Sequence, residues 1–543
     1  MIKFTETVLR DGNQSKIATR LRYSDFKDVL NQMDEIGYYS IECWGGAVYD
    51  SCLRFLNENP WDRLRKIKSH FKKTKLQMLL RGKNLLGYTP YPDVMVEDFV
   101  RLSIKNGISI IRVFDPLNDI NNVKNTIKYI LKYGGEPSGA ICYTVSPVHN
   151  IENFVNYGIE LKKAGVKSIC IKDMSGSLMP DITYKLILSL KKIVNLPVVL
   201  HTHDSSGLAN IAALKAMEAG VDIIDTCISS FSGGTSQPPT ETISLIAEKL
   251  FSSKQLNYEK LNYVNSKFKE VLIEYFNQKI INLDLLIPNI NSLIYQIPGG
   301  MYSNLLHQLK EQKIEHKLKE VLDEVVNVRK DLGYPPLVTP ISQMVGTQAV
   351  VNVLNGERYK YLSKEIINYL CGVYGRAPSI INESLLSKIT TIGDTTSLTE
   401  SAYLQGKKEL KNGDIDLENY MSLLLFPNID KREKTNYDEN NSLYLDNRIK
   451  KWIKPNDLPD FTFLKKEVKI FEVKAMMSGN IINVYVMKGD KIKKGDILLI
   501  LESMKMENQI CSPSNGIIKE VLIKKNQNVF YDDLLVLIEV NDD

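Results

Sequence analysis

The feature that most constrains the fold is an eightfold recurrence of short β-rich runs in roughly the first 230 residues. The runs begin near residues 2, 38, 75, 110, 139, 168, 197 and 222. Each is followed by a longer amphipathic stretch, and the spacing suits one βα unit. Strands that alternate with helices predict a parallel sheet, and eight of them in one domain predict a TIM (β/α)₈ barrel. A doubly wound open sheet is the alternative, but no glycine-rich phosphate turn follows the first run.

Three regions follow the barrel, which we place at residues 1–240. Residues 241–428 are predicted to be mostly helical, and we expect them to pack on the barrel as an extension that completes the active site. Residues 429–467 are rich in Lys, Asn and Asp and lack apolar periodicity, which predicts a flexible linker. Residues 468–541 change to short Val, Ile and Leu runs with Gly-Asp turns, which predicts a small all-β domain.

The all-β region contains an internal repeat. Residues 484–502 match residues 521–539 at a constant offset of 37, both in apolar alternation and in the residues that close each half. Two similar half-units predict a flattened β-sandwich with a pseudo-twofold axis. The segment between the halves, ESMKMEN at residues 502–508, would be an exposed hairpin with Lys505 at its tip.

A solvated turn is the ordinary interpretation of a single lysine, but two apolar methionines flank Lys505 at the tip of a symmetric fold. The segment resembles the biotinyl carrier domain, whose attachment lysine lies in an Ala-Met-Lys-Met sequence. Ser503 replaces the alanine here, and Met476 replaces a proline of the family pattern. Lipoyl domains are the close alternative, although their lysine normally follows Asp. The resemblance implies covalent biotin on Lys505, and a tethered carrier has a high effective concentration at its target.

His201-Thr202-His203 ends the seventh predicted strand and is a candidate metal site. Side chains at positions i and i+2 of a strand share a face, so both imidazoles would converge at the mouth of the barrel. Asp11, which we place at the end of the first strand, and Lys172, at the end of the sixth, would reach the same level, where barrel active sites lie. Their ordinary interpretations are a helix N-cap for Asp11 and a surface ion pair for Lys172.

Longer motifs resemble the carboxyltransferase domain of pyruvate carboxylase and, equally, the α subunit of oxaloacetate decarboxylase. They are LRDGNQS (9–15), ECWGGA (42–47), QMLLRG (77–82), VFD (113–115), IKDM (171–174), HTHD (201–204), PGGM (298–301), VTP (338–340) and VGTQ (345–348). The resemblance covers nearly the whole chain except the linker. The family commonly has Ala-His where Gly12-Asn13 stand, and this change is similar to a motif of aldolase-like lyases and synthases that share the barrel.

The resemblance implies a metal centre. Its ligands would be Asp11, His201, His203 and Lys172 in carbamylated form. A cationic lysine is a poor ligand, but it loses its proton readily when buried, and reaction with CO₂ makes it an anionic oxygen donor. Two imidazoles and two oxygen ligands suit zinc, with manganese or cobalt as alternatives.

The resemblance also implies substrate-binding and catalytic residues. Arg81 would bind the keto-acid carboxylate through its planar fork of donors. Thr339 would carry a proton between biotin N1 and the methyl group of pyruvate. The remaining pocket residues would be Gln14, Asp50 and Tyr88. The ordinary interpretation of Thr339 is an N-cap of the helix that follows it.

The implied reaction exchanges CO₂ between carboxybiotin and pyruvate or oxaloacetate. No ATP-binding carboxylase region is recognisable in the chain, so we expect a partner. That partner is a separate biotin carboxylase subunit or the membrane subunits of a sodium-pumping decarboxylase. We expect the oxaloacetate decarboxylase α type, because of the 61.8 kDa layout and the run GGTSQPPTE at residues 233–241. The carboxyltransferase subunit of a two-subunit pyruvate carboxylase is the alternative.

Two more distant alternatives belong to other classes. A metal-dependent Claisen or aldol-type lyase would share the barrel site but would not need Lys505. A non-enzymatic biotin carrier would leave Arg81, Lys172 and Thr339 unexplained.

Composition excludes several other functions. Lys+Arg 69 against Asp+Glu 64 gives a net charge of +5 over 543 residues, which is no nucleic-acid signature. Seven cysteines without a CxxC pair favour a reducing compartment. No apolar leader or membrane span is visible, so we expect a cytoplasmic protein. We also expect modification by a biotin protein ligase and assembly into a dimer or higher homo-oligomer.

Overall fold

The computed structural model describes residues 1–281, 283–311, 314–388, 398–426, 469–503 and 506–540. The chain divides into two compact units, Met1–Asp414 and Ile415–Asp543. The predicted linker at residues 429–467 lies outside the described residues, as does Lys505. The other predicted domain boundaries stay predictions.

The first unit contains a closed barrel of eight parallel strands. The strands are β1 (Lys3–Glu6), β2 (Ser40–Gly45), β3 (Lys75–Leu80), β4 (Ile110–Phe114), β5 (Glu136–Cys142), β6 (Ser168–Asp173), β7 (Val198–Thr202) and β8 (Ile223–Thr226). Each strand pairs with the next, and β8 returns to β1, where Lys3 is opposite Ile223 and Glu6 is opposite Thr226. The barrel prediction is confirmed, and the open-sheet alternative is wrong because the sheet closes.

The helices of the barrel region follow the strands and cover the outside of the sheet. They are α1 (Asn13–Ile17), α2 (Tyr23–Phe26), α3 (Leu30–Asp34), α4 (Gly46–Ser51), α5 (Pro60–His70), α6 (Asp93–Lys105), α7 (Lys124–Lys132), α8 (Ile151–Ala164), α9 (Pro180–Ser189), α10 (Ala209–Glu218) and α11 (Thr240–Phe251). Their buried residues recur at helical spacing, as Phe154, Tyr157 and Leu161 do on α8.

The predicted helical extension is also present. Its helices are α12 (Tyr258–Asn277), α13 (Asn291–Ile294), α14 (Gly299–Glu311), α15 (Leu318–Asp331), α16 (Ile341–Asn355), α17 (Lys364–Leu370), α18 (Glu383–Leu386), α19 (Glu400–Lys408) and α20 (Asp414–Leu425). The extension packs on loops at the carboxyl ends of the strands. Asn122, after β4, donates a hydrogen bond to the carbonyl of Tyr374, and Asp119 accepts one from the backbone N–H of Arg376.

The interior of the barrel contains charged side chains. Glu42 on β2, Arg112 on β4 and Asp225 on β8 are each at most 1% exposed. Charged residues are almost never buried unless paired, so a network of partners must hold them. That network positions the candidate site described below.

The C-terminal domain is a β-sandwich of two four-stranded sheets, with orders β13-β12-β10-β15 and β11-β14-β16-β9. Its strands are β9 (Lys469–Lys474), β10 (Gly479–Val484), β11 (Lys491–Ile492), β12 (Ile497–Ser503), β13 (Met506–Cys511), β14 (Gly516–Val521), β15 (Asn528–Val529) and β16 (Leu534–Val540). Adding 37 to the bounds of β9–β12 gives those of β13–β16, and the same operation interchanges the two sheets. The predicted pseudo-twofold repeat is confirmed.

The predicted hairpin joins the two half-units. β12 and β13 pair antiparallel from Ile497 opposite Cys511 to Ser503 opposite Met506. Ser503 and Met506 are both buried. Met504 and Lys505, which connect them in the sequence, are outside the described residues. Within the described part of the chain, no helix is both long enough and apolar enough to cross a membrane.

Candidate active site

Three of the predicted metal ligands converge at the carboxyl end of the barrel. His201 lies on β7 and His203 directly after it, and their Nε2 atoms are 3.2 Å apart. Asp11 Oδ2 lies 3.1 Å from Nε2 of His201 and 3.6 Å from Nε2 of His203. All three side chains are buried.

Asp11 does not end the first strand, as the sequence predicted. β1 stops at Glu6, and Asp11 lies in a helical turn, Val8–Gly12. The Glu6 carboxylate accepts hydrogen bonds from the backbone N–H groups of Thr7 and Val8. Glu6 thus stabilises the backbone where it leaves the sheet, and the helical turn brings Asp11 to the two imidazoles.

The hydrogen bonds of the imidazoles define where their lone pairs point. Nδ1 of His203 is 2.6 Å from the carbonyl oxygen of Thr235, and Nδ1 of His201 is 2.8 Å from the Asp225 carboxylate. Both partners accept, so each Nδ1 carries the proton. In the neutral rings both Nε2 lone pairs then face each other and the Asp11 carboxylate. Gln237 Nε2 lies 3.3 Å from Nε2 of His203. The three acceptors together form a group that could hold a metal ion.

Charged neighbours keep Asp11 ionised. Burial alone would raise the pKa of Asp11, but the Arg10 guanidinium and the imidazoles hold it well below its usual range. Arg10 Nη2 is 2.6 Å from Asp11, and Arg10 Nε is 2.6 Å from Glu42. Asp11 is therefore available as an anionic ligand at neutral pH.

A second buried ion pair, between Arg112 and Asp225, contacts His201 on its Nδ1 side. Arg112 contacts Asp225 through Nη1 and, at 3.2 Å, through Nη2. Burial would raise the pKa of Asp225, and this guanidinium lowers it below its usual range. Arg112 thus keeps Asp225 charged, and Asp225 in turn fixes the tautomer of His201.

Lys172 lies on β6 beside these groups, and its side chain is buried. Its Nζ is 3.4 Å from His201 Nε2 and 2.8 Å from the sulfur of Met174. Among the described residues, no carboxylate lies within ion-pair distance of it. Burial lowers the pKa of Lys172, although the charge of Asp11 opposes this. The surface ion pair considered from the sequence is therefore wrong.

The charge balance of this cluster would match a divalent ion if Lys172 carried a carbamate. The connected carboxylates of Asp11, Glu42 and Asp225 and the guanidiniums of Arg10 and Arg112 leave one net negative charge. A carbamate on Lys172 would add a second, which matches a divalent cation. A cationic Lys172 would instead cancel the charge. Two imidazoles with oxygen ligands are a donor set that zinc and similar ions accept.

Arg81 lies directly after β3. Its Nη1 donates to the carbonyl oxygens of Leu86 and Gly87, both at 2.8 Å, and its guanidinium lies 5.3 Å from the ring centre of Tyr88. Burial lowers the pKa of Arg81, with opposing effects from Tyr88 and Asp50. It has no carboxylate partner in the described ranges. This leaves donors of its planar fork for a carboxylate from outside the chain.

The other predicted pocket residues differ in their burial and in the groups that they contact. Tyr88 is half-buried against Arg81. Asp50 forms an ion pair with Arg54 at 2.6 Å. Gln14 is exposed and accepts a long hydrogen bond of 3.4 Å from Arg10. The structure therefore brings Tyr88 and Arg81 together and puts Gln14 beside Arg10.

Thr339 is half-buried in the turn before α16, which begins at Ile341. No side chain caps that helix, so the N-cap interpretation of Thr339 is wrong. Its neighbour Val338 belongs to a buried cluster with Phe114 of β4 and Cys142 of β5, and Met174 packs against the same cluster. This places the turn at the mouth of the barrel, on the side of Lys172.

Sequence reasoning missed the groups that orient the imidazoles. Asp225 and Thr235 contact His201 and His203, and Arg10, Glu42 and Arg112 connect the charges beneath them. A signal was present, because a charge interrupts the apolar runs SIECW, IIRVF and IIDTC. Such a charge inside a buried strand indicates a partner in the barrel interior.

These features together define a class of enzyme. Its members combine a parallel (β/α)₈ barrel that has a buried Asp-His-His cluster with a β-domain, in the same chain, that resembles a carrier domain. Comparison with known families agrees. A family described as HMGL-like matches residues 1–267, a conserved carboxylase domain matches residues 293–479, and the family of biotin-requiring enzymes matches residues 471–538.

Individual relatives extend the match to the whole chain. A pyruvate carboxylase subunit of Methanocaldococcus jannaschii is 42% identical over 93% of this chain and 94% of its own length. The same subunit of Methanothermobacter thermautotrophicus is 39% identical, with the same coverage. The carboxyl transferase domain of Rhizobium etli pyruvate carboxylase, solved with pyruvate and biocytin, superimposes with a TM-score of 0.71 at 31% identity, covering 79% of this chain and 76% of that one. The chain belongs to the biotin-dependent carboxyltransferase family, and it is an enzyme.

Proposed function

We propose that the chain is the carboxyltransferase and carrier subunit of a two-subunit pyruvate carboxylase. The end-to-end similarity to the pyruvate carboxylase subunits of the two archaeal relatives carries this proposal, since it spans barrel, extension and β-domain. It supports the alternative weighed from the sequence better than the oxaloacetate decarboxylase α type that we expected. A separate biotin carboxylase subunit would then supply the ATP-dependent step.

Lys505 is the proposed attachment point of biotin, added by a biotin protein ligase. Two observations support it, namely the match to biotin-requiring enzymes and the pairing of β12 with β13 up to Ser503 and Met506. Lys505 then belongs to the two-residue connection between the half-units. When attached, biotin supplies the means to carry a carboxyl group between two catalytic sites.

Asp11, His201, His203 and carbamylated Lys172 are the proposed ligands of a divalent ion, zinc in the first instance. The converging lone pairs and the charge balance of the cluster support the assignment. A bound ion would supply Lewis-acid polarisation of the keto oxygen. Asp225 and the Thr235 carbonyl hold the imidazoles in the tautomer that coordination requires.

Arg81 and Thr339 are the proposed groups that act on the keto acid. Arg81 binds its carboxylate, which fixes the methyl carbon relative to the turn before α16. The Thr339 hydroxyl is the proposed group that takes a proton from that methyl group while its own proton passes to an acceptor. Carboxylated biotin, when bound, would supply both that acceptor and the CO₂ that the methyl carbon gains to give oxaloacetate. Gln14, Asp50 and Tyr88 are proposed to complete the pocket.

Reconstitution tests the proposed function. The full biotinylated chain is mixed with a biotin carboxylase subunit, ATP, bicarbonate and pyruvate, and oxaloacetate is measured by a coupled assay. We expect ATP-dependent oxaloacetate formation that a Lys505→Ala chain does not support. Sodium-dependent decarboxylation with membrane subunits, together with no ATP-dependent carboxylation, would instead identify the decarboxylase α type.

A further inference from the structure

Arg329 is a buried cation in the last turn of α15, with 5% of its surface exposed. Its Nε donates to the carbonyl oxygen of Pro335 at 3.0 Å. Its Nη2 donates to Thr144 Oγ1 at 2.7 Å and to the Val145 carbonyl oxygen at 3.1 Å. All three acceptors are uncharged. Over the described ranges, no carboxylate pairs with Arg329 and Nη1 has no acceptor.

This arrangement is unusual for a buried guanidinium. Burying an unpaired charge is costly, and arginines in protein interiors are normally compensated by acids. Arg10 and Arg112 follow that rule, since each lies within 4.0 Å of two carboxylates. Burial lowers the pKa of Arg329 to about 10, so the group is still charged at neutral pH. Its bonding resembles that of Arg81, which also donates to backbone carbonyls and lacks a carboxylate.

Arg329 is connected to the candidate site through the residues that it contacts. Pro335, which it holds, precedes Thr339 by four residues in the same connection. Thr144, its other partner, follows the end of β5 at Cys142, and Cys142 is the register neighbour of Lys172 on β6. Val338 packs against Cys142 and Phe114. The guanidinium therefore links the turn that carries Thr339 to the loop next to the proposed metal ligand.

We propose that Arg329 is a second carboxylate-binding residue, which holds the carboxyl group in transfer while Arg81 holds the carboxylate of the keto acid. This inference rests on the proposed function. A carboxylate at Nη1 would receive a charge-assisted hydrogen bond and would compensate the buried charge. The carboxylate has two sources in the reaction, the second carboxylate of oxaloacetate and the carboxyl group that the carrier brings.

Binding of small carboxylates tests the proposal without turnover. The probes are ¹³C-formate, followed by NMR, and pyruvate and oxaloacetate, followed by calorimetry. The protein is the full chain with Lys505→Ala, which has no biotin and performs no transfer. We expect two saturable formate sites per chain. Arg81→Met should remove one of them and weaken pyruvate binding, whereas Arg329→Met should remove the other and leave pyruvate binding unchanged.

The oxaloacetate measurements distinguish the two sources. A loss of tenfold or more in oxaloacetate affinity on Arg329→Met assigns the site to the second carboxylate of the keto acid. Unchanged oxaloacetate affinity with loss of the formate site assigns it to the carboxyl group of the carrier. An Arg329→Met chain that binds as much formate as its parent overturns the proposal, and Arg329 then merely ties the turn to the β5 loop.

Two further variants control for folding. Arg358 lies in the same extension and already has Glu324 and Asp331 as partners, each at 2.7 Å, so Arg358→Met should leave both formate sites intact. If Arg329→Met fails to fold, Arg329→Lys replaces it. The lysine keeps the charge without the planar fork, and we expect the second formate site to weaken several-fold. Unchanged formate affinity in the lysine variant also overturns the proposal. Formate binding is measured without the coupled carboxylation assay. A negative formate result therefore contradicts only the role of Arg329, and a negative carboxylation result contradicts only the proposed function.

Discussion

The C-terminal β-domain and the barrel are both built from repeated units, but they repeat different things. In the β-domain even side-chain hydrogen bonds recur. Asp490 accepts from the backbone N–H of Met487, and Gln527 accepts from that of Lys524, 37 residues later. In the barrel the backbone pattern recurs while the buried charges change from strand to strand. Repetition is enough to make a stable scaffold, whereas the chemistry of the barrel depends on where the repetition is broken.

The same contrast distinguishes the candidate functional groups. In the β-domain the candidate group is Lys505, in the connection between two equivalent halves. An attachment lysine must be accessible, but it does not need neighbouring charges that adjust its pKa or orientation. The barrel concentrates several charged groups at one end, each with a different partner. We therefore expect loss of the lysine to abolish function without disturbing the fold, and changes in the barrel to have graded effects.

The largest expected effect is that of Lys505→Ala. Without the proposed attachment site, carrier-dependent turnover should fall to background, since no carboxyl group reaches the barrel. Labelling on a streptavidin blot should disappear, while metal content and unfolding midpoint should stay at wild-type values. Lys525→Ala changes an exposed turn lysine of the same domain and serves as the control. Persistent labelling of the Lys505 variant would place the biotin elsewhere.

Thr339→Ala should have the next largest effect. Removing a positioned proton-transfer group typically costs roughly 10²–10⁴-fold in rate, so biotin-dependent decarboxylation of oxaloacetate should fall by that factor while biotinylation and metal content are retained. Thr339→Ser should keep part of the activity, because it keeps the hydroxyl.

Thr399 provides the matched control for this prediction. It caps α19 by accepting from the backbone N–H of Ala402, which is the role that Thr339 does not have. Thr399→Ala should cost about 1 kcal/mol of unfolding free energy and leave turnover per folded molecule unchanged. A Thr339→Ala chain that turns over within about threefold of wild type would falsify the proton-transfer role.

Asp225→Asn should have an intermediate effect on metal binding and should also lower stability, because Arg112 keeps only the more distant Glu42 as a charged partner. The amide keeps the shape of the carboxylate but loses its charge, so it no longer enforces a proton on His201 Nδ1. Loss of such an orienting partner typically weakens metal affinity by about 10–100-fold. Competition with a chromogenic chelator measures it. Asp222→Asn, at the other end of the β8 region and paired with Lys191, should leave metal affinity unchanged, and equal affinities in the two variants would remove Asp225 from the site.

The smallest expected effect tests the symmetry of the β-domain. A Cβ at Gly479 would lie 2.3 Å from the carbonyl oxygen of Glu502, and a Cβ at Gly516 would lie 2.4 Å from that of Glu539. Gly479→Ala and Gly516→Ala should therefore each cost about 1–3 kcal/mol and agree within about 0.5 kcal/mol. Hydrogen exchange of the backbone amides of β10 and β14 in the full chain measures the loss of stability in each variant. Unequal losses would show that the halves are equivalent in geometry but not in energy.

The barrel glycine offers a contrast to this pair. A Cβ at Gly12 would lie 2.5 Å from the sulfur of Cys227. The buried thiol of Cys227 therefore leaves little room for a side chain at Gly12.

Local patterns predicted the fold well. The eight strands and the repeat of 37 residues follow from periodicity, which is written along the chain. The convergence of His201 and His203 follows from the same rule, because they lie two residues apart at a strand end. The prediction for Asp11 was wrong because β1 ends at Glu6 and a helical turn follows from Val8, and no pattern in the sequence marks that boundary.

The rest of the site depends on which distant segments meet. Asp225 contacts His201 because β8 lies beside β7, and Thr235 reaches His203 from the loop after β8. Arg329 is 185 residues from Thr144 in the sequence. Pairings of this kind are fixed by closure of the barrel and docking of the extension, so no local pattern contains them.

The order of these groups along the chain has a consequence for biosynthesis. Every proposed ligand, and both groups that orient the imidazoles, lie before residue 236, and the last strand of the barrel ends at Thr226. Domains fold largely in the order in which the ribosome makes them. The proposed ligands can therefore come together while Thr339 and the carrier are still untranslated. The proposed ion would then be bound by a nascent chain, before there is any catalytic activity on which an incorrect ion could act.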